Sequence, residues 1–185
     1  MTETAARLLT ADEFAALPDE PGAVLELVRG EVRSMPKPKP RHGRVAGKLY
    51  RRIGDHVERN GLGETYTAET GFLIARNPDT VRGPDAAFVS KARLATVADP
   101  DEWMPFAPDL VVEVTSPDDR RREIAEKIAD WLAFGVRLLW QVHPDTRTVE
   151  VHRPGAPVQT LRENDLLDGL DVLPGFRLRV GELFE

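Results

Sequence analysis

PDLVVEVTSP, residues 108–117, reads as a buried β-strand built from Leu110, Val111, Val112 and Val114. A carboxylate, Glu113, sits in its middle. Burying an unpaired charge costs several kcal/mol or more, so Glu113 requires partners on its own side of the sheet. Strand side chains alternate between faces. Leu110, Val112 and Val114 therefore share one face, and Val111, Glu113 and Thr115 share the other.

Downstream, SPDDRRREIAEKIADWLAFG (116–135) predicts a helix. Ser116 is its cap, Pro117 lies in its first turn, Asp118 and Asp119 sit near its positive end, and Gly135 closes it. Ile124, Ile128, Trp131 and Gly135 form the apolar stripe. Lys127 lies about 60° off its centre, between Ile124 and Trp131, which lets its ammonium reach across the sheet face. RLLWQVH (137–143) and TVEVHR (148–153) predict a strand pair around the turn PDTR. Upstream, ETYTAETGFLIA (64–75) and PDAAFVS (84–90) read as strands joined through the turn NPDT. Asp85 alternates with Ala87 and Val89, small residues that leave space beside it. Residues 41–60 predict a helix with Val45, Leu49, Ile53 and Val57 on one stripe. TADE (10–13) has the spacing of a capping box, and AVLELV with EVRSM reads as a hairpin turning at Arg29-Gly30. The expectation is one α/β domain over residues 1–185, with a mixed sheet flanked by helices. Residues 1–40 supply an N-terminal helix and hairpin, 41–153 the core in the order αβββαβ, and 154–185 an extension of short strands and turns over an edge.

The chain has no cysteine, which excludes disulfides, thiolate zinc sites and cysteine nucleophiles. No apolar run is long enough to cross a bilayer, and MTETAARLLT lacks the apolar stretch of a secretory signal. These features predict a soluble cytoplasmic protein with no membrane partner. The net charge of −6 argues against an all-over basic coat, yet KPKPRHGRVAGKLYRR (37–52) holds seven Lys or Arg and no acid. Arg41, Arg44, Lys48 and Arg51 gather on one helix face there, a candidate nucleic-acid contact. The plainer account is a solvated helix face.

Asp85, Glu113 and Lys127 thus come from three elements whose predicted geometry turns them toward one sheet face. Two carboxylates suit Mg²⁺ or Mn²⁺, ions that keep water ligands and accept phosphate oxygens. A lysine beside them could orient or deprotonate an attacking water, or stabilise charge on the phosphorus centre. Taken singly each residue has a duller role: Asp85 as a turn acid, Glu113 in a salt bridge, Lys127 as a snorkelling edge residue.

Taken together, PDAAFVS, APDLVVEVTSP, RRREIAEK and LLWQVHPDTRTVEV, in that order and spacing, resemble the Uma-type restriction endonuclease family of the PD-(D/E)XK nuclease superfamily. The likeness runs from LELVRGE to the final strand. It implies a restriction-endonuclease-like αβββαβ core in which Pro84-Asp85 is the PD motif and Glu113 the acid of (D/E)XK. Thr115 stands where that motif has its lysine, and Lys127 on the following helix is the matching substitute. The resemblance further implies a metal-dependent endonuclease acting on DNA, with His42 as a metal-binding residue of the first core helix, Glu26 and Glu31 as accessory acids, and a homodimeric assembly. The Val114 carbonyl is a candidate further oxygen ligand. The alternative is a catalytically silent nuclease-fold module that binds nucleic acid or protein.

Overall fold

A computed structural model describes residues 7–185 of the chain. The opening residues 1–6, read above as part of a non-secretory N-terminus, lie outside the described residues. Helix α1 (Ala11–Ala15) starts at Thr10, whose hydroxyl accepts the Glu13 N–H while the Glu13 carboxylate takes the Thr10 N–H, closing the expected capping box. Strands β1 (Ala23–Val28) and β2 (Glu31–Pro36) form the hairpin. Its two turn residues, Arg29 and Gly30, take φ of 51° and 79°, the left-handed pair that a twisted two-residue hairpin turn requires. Helix α2 (Pro40–Asn60) begins with proline in its first turn and ends on the left-handed Gly61.

After α2 the chain departs from the expected pattern. The stretch 64–75 is not one strand but two, β3 (Gly63–Thr67) and β4 (Phe72–Ala75), separated by a turn closed by Thr70 N–H on the Thr67 carbonyl. Turn NPDT joins β4 to a further strand, β5 (Thr80–Arg82), which pairs with β4 and with the N-terminal hairpin. The bend is built at Gly71, where a Cβ would stand 3.0 Å from Val81 and 3.4 Å from Trp103. Strand β6 (Ala86–Ser90) and the short helix α3 (Lys91–Leu94) follow, then β7 (Leu110–Val114).

Helix α4 (Arg121–Phe134) starts four residues later than predicted, with Arg120 rather than Ser116 at its cap position. The Asp119 carboxylate accepts the Ser116 N–H at 2.7 Å, and Asp119 N–H bonds back to the Ser116 carbonyl. That local turn satisfies the groups a helix start would otherwise have used. Strands β8 (Leu138–His143) and β9 (Thr148–His152), β10 (Gln159–Leu161), and the pair β11 (Leu166–Asp168) and β12 (Arg177–Arg179) complete the chain before a closing 3-10 turn at Val180–Leu183.

The main sheet has the order β10-β9-β8-β7-β6-β3, with β7 parallel to β8 and its other pairs antiparallel, so it is mixed. A four-stranded sheet, β2-β1-β5-β4, stands beside it. Helix α2 buries Val45, Leu49, Ile53 and Val57 against Leu110, Val112, Val114 and Trp140, with the C-terminal residues Leu173, Phe176 and Leu183 closing that side. Helix α4 buries Ile128 and Trp131 against Val111, Leu139, Ala87 and Phe72 of β4. The alternation read from PDLVVEVTSP is therefore the one observed, and Glu113 lies on the α4 side. Helix α1 covers the smaller sheet through Ala11, Leu27, Leu73 and Val81. Among the described residues, no helix is long and apolar enough to cross a membrane.

Candidate active site

Asp85 precedes β6 and is fixed by the sheet itself. Its N–H donates to the Val112 carbonyl at 3.0 Å, and its Oδ2 accepts the Val114 N–H at 2.7 Å. Ala86 pairs with Val112 across antiparallel strands, so the same register sets Asp85 opposite Glu113. His42, in the first turn of α2, brings its Nε2 to 3.2 Å from Asp85 Oδ2. Its Nδ1 is buried with no hydrogen-bond partner among the described residues.

Glu113 finds its partners on α4. Its Oε2 lies 2.9 Å from Lys127 Nζ, and its Oε1 accepts the Trp131 indole N–H at 2.7 Å. Lys127 Nζ also lies 3.0 Å from Glu26 Oε1 and donates to the Gly83 carbonyl at 2.8 Å. These three acceptors match the three protons of an ammonium. Glu26, on β1, is in turn held by Arg82 of β5 at 2.7 Å, and Arg82 reaches Asp130 of α4 at 2.6 Å. The hairpin, the smaller sheet and α4 thus meet in one buried ionic network.

Burial pushes the Glu113 carboxyl up to about 7; Lys127 opposes this, while the charges of Asp85 and Glu26 add to it. Burial works against the charged form of Lys127 too, but Glu113, Glu26 and Asp85 together raise its pKa above the ordinary lysine value. Burial likewise opposes ionisation of Glu26, and Lys127 and Arg82 overcome it, holding that carboxyl below its usual range. For His42 burial favours the neutral ring, and the hydrogen bond and charge of Asp85 outweigh it, raising its pKa. Lys127 therefore favours its charged form in this network.

Of the residues singled out from sequence, Asp85, Glu113, Lys127, Glu26 and His42 come together, and the Val114 backbone lies between the two strand acids. Glu31 does not join them: it is exposed at the hairpin end, with no ion pair among the described residues. The basic face of α2 is divided. Arg41 binds Asp145 at 2.7 Å and the Pro144 carbonyl, while Lys48 donates to the carbonyls of Glu182 and Glu185 at 3.0 and 2.7 Å. Arg44 and Arg51 are exposed and carry no ion pair among the described residues. Arg82 and Trp131 were not foreseen as site residues. Arg82 sits in a strand that the sequence pattern hid, and Trp131 read only as part of an apolar stripe.

Among the described residues, no group of three or more His, Cys, Asp or Glu side chains is arranged to hold a metal ion. Two carboxylates set opposite each other across paired strands nevertheless suit Mg²⁺ or Mn²⁺, which commonly bind through one or two carboxylates plus water and substrate phosphates. The donor set fits a hard divalent ion of that kind.

A mixed sheet carrying two acids, covered by one helix near Asp85 and by another that delivers a lysine, defines a restriction-endonuclease-like α/β protein. The family model described as Uma2, "Putative restriction endonuclease", matches residues 11–181, and the chain belongs to that family. A solved structure from Anabaena variabilis ATCC 29413, described as "a putative nuclease belonging to DUF820", shares the fold with a TM-score of 0.80. The two chains are 22% identical, over 95% of this chain and 97% of that one. A search of curated proteins gave no match.

Proposed function

We propose that the protein is a divalent-metal-dependent endonuclease that hydrolyses phosphodiester bonds in DNA. The observation that carries this is the Lys127 ammonium 2.9 Å from Glu113, whose strand sets Asp85 directly opposite. Asp85, Glu113 and the Val114 carbonyl would hold Mg²⁺ or Mn²⁺, with His42 steadying Asp85 or adding a ligand. The bound ion supplies Lewis-acid polarisation of a phosphate oxygen and a more acidic water.

The chain's own groups do the rest. The Val114 N–H and His42 fix Asp85, so the acid needs no reorganisation on binding. Lys127 keeps its proton and places a positive charge where negative charge gathers on the phosphorus centre in an in-line displacement. Glu26 and Arg82 hold that lysine in place. Arg44 and Arg51, with Arg41 and Lys48 beside them, offer phosphate contacts along α2. Two copies of the chain would suit cutting both strands of a duplex, and a cytoplasmic location would suit a DNA substrate.

A second reading has its own support: Lys127 is already matched by Glu26, Glu113 and the Gly83 carbonyl, so the site is electrostatically closed as it stands. On that reading the chain is a silent nuclease-fold module. One set of experiments separates the two. Purified protein is incubated with supercoiled plasmid, single-stranded and branched DNA, and RNA, with Mg²⁺ or Mn²⁺, and metal binding is followed calorimetrically. Nicking that vanishes in Asp85→Ala, with binding heat lost in Glu113→Gln, supports the nuclease. Neither nicking nor metal uptake leaves the module.

A further inference from the structure

Trp131 is fully buried on α4, one turn after Lys127. A buried indole N–H ordinarily seeks an acceptor, but burial alone does not supply one in this fold. Trp140, equally buried on the opposite sheet face, has an Nε1 with no partner among the described residues. The Trp131 Nε1 instead lies 2.7 Å from Glu113 Oε1. Lys127, four residues earlier on the same helix face, takes Oε2 at 2.9 Å. One helix face therefore delivers two donors to a single carboxylate, one to each oxygen. Phe72 packs edge-on against the indole at 6.0 Å between centroids, with planes at 74°, so the ring is held from behind.

We infer that Trp131 is a positioning residue: its indole N–H, with the Lys127 ammonium, clamps the plane of the Glu113 carboxylate and presents one fixed edge of it toward Asp85. A carboxylate held by a single donor rotates about its last bond, whereas one held at both oxygens does not. Groups that orient a metal-binding carboxylate from behind matter to the ion nearly as much as the ligands themselves. The functional half of this inference rests on Glu113 belonging to the reaction centre; the clamp itself does not.

The test replaces Trp131 with β-(3-benzothienyl)alanine, which keeps the ring shape and removes the N–H. Expected is a folded protein with Mn²⁺ affinity lower by about ten- to a hundred-fold by calorimetry, and kcat on supercoiled plasmid falling while KM for DNA holds. Unchanged Mn²⁺ affinity and kcat would overturn the positioning role. A second arm needs no metal and no activity. The protein has three tryptophans, so its indole ¹H–¹⁵N spectrum is simple, and Trp131→Phe assigns the signal. Glu113→Gln should move the Trp131 indole proton upfield and leave those of Trp103 and Trp140 in place; a stationary Trp131 signal would overturn the clamp. A wild type that binds no Mn²⁺ while its indole signal responds to Glu113→Gln refutes the metal reading and retains the clamp.

Discussion

Replacing Glu113 by glutamine should make the metal-free protein more stable at alkaline pH and leave it nearly unchanged in acid. Glu113 is 9% exposed, and burial lifts its carboxyl from the ordinary 4.5 to about 7 in the folded chain. A group whose folded pKa exceeds its unfolded one contributes stability that is complete below about 4.5 and is lost as pH rises through 7. At roughly 1.4 kcal/mol per pH unit, the loss amounts to about 3 kcal/mol by pH 8. Glutamine keeps the shape and a hydrogen-bond acceptor but cannot ionise, so the variant escapes the loss. Urea unfolding of both proteins at closely spaced pH values from 5 to 8, with chelator present, gives the difference directly. It should grow with pH toward about 3 kcal/mol. A difference that stays flat across that range, or a variant less stable at pH 8, would mean that Glu113 sits comfortably charged against Lys127 and that the account of the site is wrong.

Lys127→Met strips the shared cation from Glu26 and Glu113, and should cost about 3–5 kcal/mol at pH 8 but less at pH 5, where Glu113 takes up a proton. In a double-mutant cycle on unfolding free energies, adding Glu113→Gln should recover part of the loss. Gly63→Ala would place a Cβ 2.0 Å from the Val89 carbonyl and 2.8 Å from the Lys91 nitrogen, both backbone atoms, so β3 must shift from the sheet edge. A calorimetric scan should show destabilisation of about 1–3 kcal/mol. Arg44→Glu with Arg51→Glu should leave the melting curve unaltered, because neither side chain is engaged, yet weaken DNA binding. The slope of log affinity against log salt should drop by about 2 if each arginine meets one phosphate, as fluorescence anisotropy would read.

The strand at 108–117 was legible because its period of two is unbroken, and because a lone acid among branched apolar residues announces a need. Lys127 was legible for a related reason: its angle on α4, just off the apolar stripe, let it reach the sheet. Other parts depended on distance along the chain. Residues 64–75 alternate like one strand, and little in their composition reveals that the backbone turns at Thr67–Thr70 and enters another sheet. With that turn unseen, β5 and its Arg82 went unseen as well. The partners that neutralise the α2 face are similarly remote, since Asp145 lies 104 positions from Arg41 and Glu182 lies 130 from Arg52. The start of α4 was misplaced because Asp119 could cap a helix or close a turn, and the turn won. Trp131 shows the narrowest limit. A hydrophobic period says which face a side chain occupies but not where a single N–H points.

The lysine that serves Glu113 arrives on a helix rather than on the strand two residues away, and this has a mechanical consequence. A strand lysine would share the rigidity of the sheet, but this one is seated by α4, which is tied through Glu26 and Arg82 to the N-terminal hairpin and the smaller sheet. The ammonium is therefore held jointly by the smaller sheet, through Glu26, and by the main sheet, through Glu113, so its position depends on how the two sheets stand against each other.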